Sequence, residues 1–220
     1  MYILWQVRRS LPHENDKEKR MNIAVFASGR GTNFGAIIRA TKLGKIKANL
    51  SLLVCDTPKA GAIGRAKRAG IKIALIKRED FTNKEDFENK IIAHLEENKI
   101  DLIVLAGFMR MLSPEFVGRY TSRILNIHPA LLPSFKGTEA IKDAFDYGVK
   151  VTGVTVHFVD EKMDHGPVIL QQAVQIQDND TLESLEKRIH KIEHRLYPEA
   201  IRLYVEGKLK LEGRKVRISS

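Results

Sequence analysis

The sequence predicts an α/β fold in which a mostly parallel, twisted sheet carries helices on both faces. Three observations lead to this prediction. Five short apolar runs alternate with segments of helical periodicity, which is the pattern of strands joined by crossover helices. Two later strand-like runs are separated only by residues 160–167, too few for a helix, so they are expected to pair antiparallel. A long amphipathic helix is then expected near the C-terminus.

The first five strands are predicted from apolar runs without alternation, as expected for strands that are buried on both faces of a sheet. They lie at residues 22–27, 50–55, 71–76, 102–106 and 124–128. Helical spacing of apolar residues fills the segments between them, at 34–43, at 60–69, and after Thr82 and Ser113. Right-handed crossovers are expected throughout.

Local signals mark where these helices begin and end. Gly70 follows the second helix and is a plausible C′ residue. Thr82 precedes Glu85 at capping-box spacing, which predicts the start of the third helix. Ser113 followed by Pro114 predicts a capping residue and a proline at the first helical position.

The chain changes character after Gly148. Strands are predicted at 151–159 and 168–174, followed by a helix that starts within residues 180–183. The apolar stripe of this helix recurs at spacings of three and four, at Leu182, Leu185, Ile189, Ile192 and Leu196. Because no linker, repeat or low-complexity segment is evident, residues 21–220 are expected to form a single domain.

Residues 1–20 differ from the rest, since they are briefly apolar and then polar and basic. The basic residues follow the apolar run, which is the reverse of a secretory signal, and no small-residue cleavage site is evident. We therefore expect an N-terminal extension that is dispensable for folding and activity.

The composition is that of an ordinary globular protein, with 43% apolar and 29% charged residues. No apolar run approaches the roughly 20 residues that a membrane helix needs, so no membrane partner is expected. Cys55 is the only cysteine, which excludes an intrachain disulfide and suits a cytoplasmic location. Its apolar surroundings favour a packed thiol over a nucleophile.

The net charge of +10 raises the question of a nucleic-acid partner. The basic residues are scattered, apart from a terminal patch within residues 208–217, and no RNA-binding signature or zinc-finger spacing is present. A solvated surface therefore explains the charge better, and no nucleic-acid partner is expected. The sequence leaves open whether the protein is a monomer or a homodimer.

The most informative segment is the end of the fifth strand, where Asn126 and His128 precede Pro129. Side chains two positions apart on a strand point to the same side, so an amide donor and an imidazole should face one cleft. Such a pair can hydrogen-bond a developing oxyanion and manage a proton. The alternative is a strand end whose polar residues only cap the following turn.

A glycine-containing turn at residues 28–33 joins the first strand to the first helix. Free amides at the helix N-terminus attract an anion, and Thr32 and Asn33 add side-chain donors. The turn is not a Walker A loop, because no Gly-Lys-Ser/Thr follows. It is not the full dinucleotide-binding pattern either, because the third glycine is displaced and no acid ends the second strand cleanly, Asp56 being the nearest. A small phosphate monoester fits it better than a dinucleotide, and an ordinary strand–helix turn is the alternative.

Two further loops carry candidate residues. Residues 106–112 leave the carboxyl end of the fourth strand, where a flat heterocycle could lie against Met109 and Leu112, although a packed connection is the alternative.

Asp164 lies between the last two strands and would favour a charged His128 imidazole if the loop folds back toward it. His157 is a weaker candidate because a satisfied core or edge histidine explains it better, and His165 is weaker again. No residue cluster has convincing metal-ligand spacing, so no metal is expected.

Taken together and in order, these segments resemble the phosphoribosylglycinamide formyltransferase family, the folate-dependent formyl transferases of purine synthesis. The resemblance covers nearly everything after the extension and implies the Rossmann-like formyltransferase fold. It rests on residues 22–33, 105–110, 126–129, 131–133 and 164–168.

This resemblance implies transfer of the formyl group of 10-formyltetrahydrofolate, as co-substrate, to the glycine amine of glycinamide ribonucleotide. It implies that Asn126, His128 and Asp164 are catalytic. The remaining implied roles are phosphate binding by Gly31, Thr32 and Asn33, contact with the glycinamide portion by Glu193, and folate binding by Lys84, Met109, Arg110, Met111, Leu112 and Asn126.

Related enzymes share the same core and the same amide, imidazole and carboxylate. Methionyl-tRNA formyltransferase adds a C-terminal RNA-binding barrel, and formyltetrahydrofolate hydrolase adds a domain in front, so both are disfavoured by the length of this chain. A non-catalytic nucleotide- or RNA-binding module is the alternative from another class, and the three predicted catalytic residues argue against it.

Overall fold

The computed structural model describes residues 20–219, so the expected extension at residues 1–20 lies almost wholly outside the described residues. Nine strands are present in this part of the chain: β1 (Asn22–Phe26), β2 (Asn49–Cys55), β3 (Lys72–Leu75), β4 (Leu102–Leu105), β5 (Ile124–His128), β6 (Val151–Phe158), β7 (Val168–Gln175), β8 (Leu209–Glu212) and β9 (Lys215–Ile218). Six α-helices accompany them: α1 (Thr32–Lys42), α2 (Gly61–Ala69), α3 (Lys84–Glu97), α4 (Pro114–Arg119), α5 (Ala140–Tyr147) and α6 (Leu182–Val205).

The main sheet has seven strands in the order β3-β2-β1-β4-β5-β6-β7. Strands β1 to β5 are parallel, whereas β6 runs antiparallel to both β5 and β7. The predicted fold class, including the antiparallel pair and the long C-terminal helix, is therefore confirmed. The strand order reverses between β1 and β4, and ligands of open α/β sheets bind in the crevice outside the carboxyl ends of such strands.

The sheet separates two apolar cores, because successive side chains of a strand point to opposite faces. On β1, Ile23 and Val25 face the core under α1, α2 and α6, while Ala24 and Phe26 face the core under α3 and α4. Both faces are covered, which explains why β1 reads as a continuous apolar run.

Helix α6 is fixed to the centre of the sheet by a buried tyrosine. The hydroxyl oxygen of Tyr197 lies 2.8 Å from the carbonyl oxygen of Leu105 and 2.9 Å from that of Leu125. Burial raises the pKa of this hydroxyl well above its ordinary value, so it remains a donor. The contact joins α6 to the carboxyl end of β4 and to the first half of β5.

Most predicted helix boundaries are confirmed, and one is wrong. Ser113 caps α4 ahead of Pro114, and Gly70 ends α2 with a left-handed backbone. The predicted cap at Thr82 is off by one residue, because the side chain of Asn83 accepts the backbone N–H of Asp86 and caps α3 instead. Asn83 is itself a good capping residue, which explains the shift.

Two elements were not predicted, namely α5 and the β8–β9 hairpin. The hairpin contains much of the terminal basic patch, and it places Lys210 and Arg217 against Glu212. None of the helices described here combines the length and the apolar character that crossing a membrane requires.

Candidate active site

A cavity of about 420 Å³ opens at the carboxyl ends of β1, β4 and β5. The turn before α1, the loop after β4, the end of β5, the loop between β6 and β7, and one face of α6 line it. This is the crevice that the strand order predicts. The structure therefore brings together segments that are far apart in the sequence.

Asn126 and His128 lie on the same side of β5 and both line the cavity. The amide Nδ2 of Asn126 is 3.2 Å from Nε2 of His157, which lies opposite it on β6. Burial lowers the pKa of the His157 imidazole, so the ring is neutral near pH 7. Its Nδ1–H then donates to the carbonyl of Phe158 at 2.7 Å, and its Nε2 accepts from Asn126. One N–H of the Asn126 amide remains for a ligand.

His128 is 3% exposed and held from both sides. Its Nε2–H donates to the carbonyl oxygen of Phe135 at 2.7 Å, so that Nδ1 faces Asp164. The Nδ1 atom of His128 lies 3.5 Å from Oδ2 of Asp164, and Oδ1 of the same carboxylate lies 3.8 Å from Nε2 of His157. The predicted approach of Asp164 to His128 is thus present. At 3.5 Å the Nδ1 proton of a charged His128 is not committed to Asp164 and is available to a reacting oxygen.

The loop between β6 and β7 has a shape that only certain residues allow. Asp164 has a φ of 46°, a left-handed conformation that Asp tolerates better than most residues. Its Oδ2 accepts the backbone N–H of Gly137 at 2.9 Å. A Cβ at Gly166 would lie 1.8 Å from the carbonyl oxygen of Phe158, so a side chain cannot be accommodated there. These constraints aim the carboxylate of Asp164 at the two imidazoles.

The turn before α1 forms the opposite wall of the cavity. Gly31 has a φ of 66°, and a Cβ on it would lie 2.9 Å from Cα of Ala62. The first backbone amides of α1 follow immediately and have no partners within the helix. The amide of Asn33 donates to Oε2 of Glu193 at 3.1 Å, while its own Oδ1 is buried without a hydrogen-bond partner among residues 20–219. The wall therefore offers backbone amide donors to a ligand.

Glu193 is 4% exposed and connects this wall to α6. Besides Asn33, its Oε2 is 2.8 Å from Nδ1 of His190, one turn earlier on the same helix. The hydrogen bond to Glu193 raises the pKa of the His190 imidazole. Both side chains line the cavity, so a carboxylate and an imidazole with a raised pKa lie next to the amide-rich turn.

Comparison with known proteins identifies the family. The family model described as formyl transferase matches residues 21–201. The chain belongs to the formyl transferase family. It is 48% identical to the phosphoribosylglycinamide formyltransferase of Bacillus subtilis over 179 residues. This match covers 81% of this chain and 92% of the Bacillus protein. It is also 40% identical over 190 residues to the Haemophilus influenzae protein of the same name, a match that covers 86% of this chain and 90% of that protein.

A solved structure gives the same result for the fold of this formyl transferase. Glycinamide ribonucleotide transformylase 1 from Symbiobacterium toebii superposes with a TM-score of 0.89 at 42% identity. The match covers 91% of this chain and 95% of that one. The architecture described above is therefore the formyltransferase fold.

All but one of the folate-binding residues predicted for this formyl transferase line the cavity. Met109 and Met111 are 66% and 57% exposed and line the cavity together with Arg110 and Leu112. Lys84 lies at the start of α3, outside the cavity lining, with Nζ 3.8 Å from Oε1 of Glu88. Lys84 as a folate ligand therefore stays a prediction.

The loop after β4 is held in place by a second buried carboxylate, Asp56. Burial raises its pKa, but hydrogen bonds from Ser28, Arg110 and Thr57 outweigh that effect and lower the pKa below its ordinary value. The backbone N–H of Met109 also donates to Oγ of Ser28 at 3.2 Å. Arg110 is thus tied to the protein and keeps the loop in place.

Of three further histidines, His157 and His190 line the cavity and His165 does not. His157 is indeed a satisfied, buried histidine, and it also contacts Asn126 and Asp164, so the two explanations are compatible. His190 was not predicted, although its spacing of three residues from Glu193 was the available signal. The Nδ1 atom of His165 lies 2.6 Å from Oδ2 of Asp160. Among residues 20–219 no group of His, Cys, Asp and Glu is arranged to hold a metal ion.

Replacing Glu193 with Gln is expected to lower the pKa of the His190 imidazole toward its ordinary value of 6.5, because the charged partner is lost. A raised pKa means that the pair stabilises the fold fully below about 6.5 and loses this contribution as pH rises through the raised value. An NMR titration of the imidazole measures the shift. Glu183→Gln, which removes a carboxylate paired with Lys187 on the same helix, is the control. An unchanged His190 titration in Glu193→Gln would contradict the assignment.

Proposed function

We propose that this protein transfers the formyl group of 10-formyltetrahydrofolate to the glycine amine of glycinamide ribonucleotide, in the synthesis of purines. The observation that carries the proposal is the meeting of Asn126, His128 and Asp164 in one cavity, with the amide-rich turn before α1 on its opposite wall. The names of the formyl transferases that match over most of this chain support the choice of substrates.

The turn before α1 binds the phosphate of the ribonucleotide. The backbone amides at Gly31, Thr32 and Asn33 point out of the helix N-terminus, where the helix dipole favours negative charge. Gly31 permits the close approach, since its backbone is left-handed and no side chain fits there. The buried carboxylate of Glu193 then accepts hydrogen bonds from the glycinamide portion.

The reaction starts when the glycine amine attacks the formyl carbon, which places negative charge on the formyl oxygen. The remaining N–H of Asn126 and the Nδ1–H of a charged His128 donate to that oxygen. Each well-aimed donor contributes roughly 3 kcal/mol to the transition state. The amine loses a proton to Asp164 through water, and the departing folate nitrogen gains one as its bond to the carbon breaks. No covalent intermediate with the protein forms.

The loop after β4 binds the folate. Its exposed methionines offer apolar surface to a flat heterocycle, and Met is well suited to irregular apolar contacts. Leu112 and Asn126 complete this wall, and Arg110 holds the loop against it through its ion pair with Asp56. The positive charge of Lys84 attracts the folate carboxylates. His157 acts as a positioning residue because it orients the amide of Asn126.

The proposed setting of this reaction is the cytoplasm, as monomer or homodimer, with small molecules as the only partners. The single cysteine supports a reducing compartment. Cys55 is buried, and burial raises the pKa of its thiol, which favours an unreactive packed side chain.

The test is the absorbance change that follows when a formyl-folate analogue loses its formyl group. Loss that requires glycinamide ribonucleotide is the expected result. Loss at the same rate without the ribonucleotide would indicate hydrolysis, and no loss would indicate a binding module. Either of these results would overturn the proposal.

Replacing Gly31 with Ala is expected to raise the KM for the ribonucleotide by about tenfold or more, because the turn must move to relieve the contact with Ala62. Steady-state kinetics with each substrate varied measures it. Gly44→Ala is the matched control, since Gly44 has a φ of 72° but open space around its Cβ position. Backbone strain should cost each variant about 1 kcal/mol of stability. Gly31→Ala should lose more than that, because of its contact with Ala62. Equal KM values in the two would argue against phosphate binding at Gly31.

A further inference from the structure

The β8–β9 hairpin lies beyond residue 201, where the match to the formyl transferase family model ends, and it reaches back to the loop that carries Asp164. The contact is made by Arg214, one of the two residues in the turn of the hairpin. It touches His165, the residue directly after Asp164. A segment outside the family model therefore contacts the active-site loop.

The guanidinium of Arg214 holds His165 through both its backbone and its ring. Nη2 donates to the carbonyl oxygen of His165 at 2.6 Å, and Nη1 lies 3.3 Å from each of the two ring nitrogens. The Nδ1 atom of the ring is 2.6 Å from Oδ2 of Asp160. A neutral ring with its proton on Nδ1 satisfies both partners, since Nδ1–H donates to Asp160 and Nε2 accepts from Arg214.

Asp160 closes the loop on its other side. Its Oδ1 accepts the backbone N–H of Lys162 at 3.1 Å, while its Oδ2 meets His165. The loop is thus tied across from residue 160 to residue 165, and Arg214 anchors this tie to the hairpin. Asp164 lies inside the tied segment, with the left-handed backbone that aims its carboxylate at His128.

We propose that Arg214 is a positioning residue for the formyl transfer: by holding His165, it keeps Asp164 at the distance from His128 that the reaction needs. The inference rests on the proposed function and extends it to the C-terminal hairpin. A displacement of about 1 Å at a reacting group can lower a rate up to 100-fold, so a contact that adds little to stability can still matter for turnover. Arg214 itself does not touch the cavity.

The kinetic test compares three variants. Arg214→Ala is expected to lower kcat about tenfold while the KM for the ribonucleotide changes less than about twofold, because the phosphate wall is not affected. Arg214→Lys should restore part of kcat, since an ammonium still donates to the His165 carbonyl. Arg217→Ala is the control, because Arg217 lies in the same hairpin and pairs only with Glu212 among the described residues. It should retain full activity.

Hydrogen exchange of the backbone amides of residues 160–166 tests the same proposal without using activity. Arg214→Ala should speed exchange in this loop and leave the rest of the sheet unchanged, while Arg217→Ala should not. Faster exchange with an unaltered kcat would overturn the positioning role, and unaltered exchange would overturn the contact itself. A wild-type protein without formyl transfer would refute the proposed function, and the positioning role would fall with it, whereas the exchange result would still decide whether Arg214 holds the loop.

Discussion

Asp164→Asn is expected to lower kcat by about 10²–10⁴-fold, the usual range for loss of a positioned acid–base group. The amide has nearly the same shape and can still accept the N–H of Gly137 through its oxygen. It cannot take the proton of the attacking amine, and it removes the negative charge that faces His128 and His157. Formyl transfer followed by absorbance gives kcat, and a fluorescence or calorimetric titration gives folate affinity, which should survive.

The matched control for this variant is Glu161→Gln, a carboxylate-to-amide change in the same loop. Within residues 20–219, the carboxylate of Glu161 makes no hydrogen bond or ion pair, although the residue borders the cavity. It should therefore turn over normally. Near-normal turnover in Asp164→Asn would remove Asp164 from the mechanism, whatever its position in the cavity.

The second large effect is expected for His128→Ala, with a loss of about 10²–10³-fold in kcat, the typical result of removing one oxyanion donor. The imidazole bridges Phe135 and Asp164, so the variant also loses the group that faces the carboxylate. Circular dichroism and thermal unfolding check that the fold is intact.

Because His128 is buried, a truncated side chain leaves a void, and His128→Asn serves as a second variant that keeps a polar group beside the Phe135 carbonyl. His94→Ala on α3 is the control, since its imidazole lies at the surface 3.8 Å from Glu97. A folded His128→Asn protein with kcat within fivefold of wild type would contradict the oxyanion role.

The strands and most helices were predictable because their side-chain periods are written directly in the sequence. Residues 23–27 are apolar on both faces, and α6 repeats apolar residues at spacings of three and four. The hairpin was missed because its basic residues were interpreted as a charged patch. The signal was nevertheless present in the alternation of Leu209 and Leu211 with lysine and in the turn residue Gly213.

The site was predictable only in part, because chain topology rather than local pattern decides which loops meet. The same-side placement of Asn126 and His128 followed from strand geometry. The approach of Asp164 to His128 depended on how residues 160–167 fold back, and no regular spacing of apolar residues predicts the conformation of that loop. The Phe135 carbonyl, which sets the orientation of the His128 ring, lies in a stretch without regular spacing. Backbone acceptors of this kind carry no signature in a sequence.

The hydrogen bond between Asn33 and Glu193 joins residues 160 positions apart in the sequence. The hydrogen bond from Tyr197 to the carbonyl oxygen of Leu105 joins residues 92 positions apart. Such long-range contacts form late, after most of the chain has been made. A ribosome that has released only the first 180 residues will have exposed every strand of the main sheet, but no α6. The nascent protein would therefore be unable to recognise the ribonucleotide until translation is almost complete.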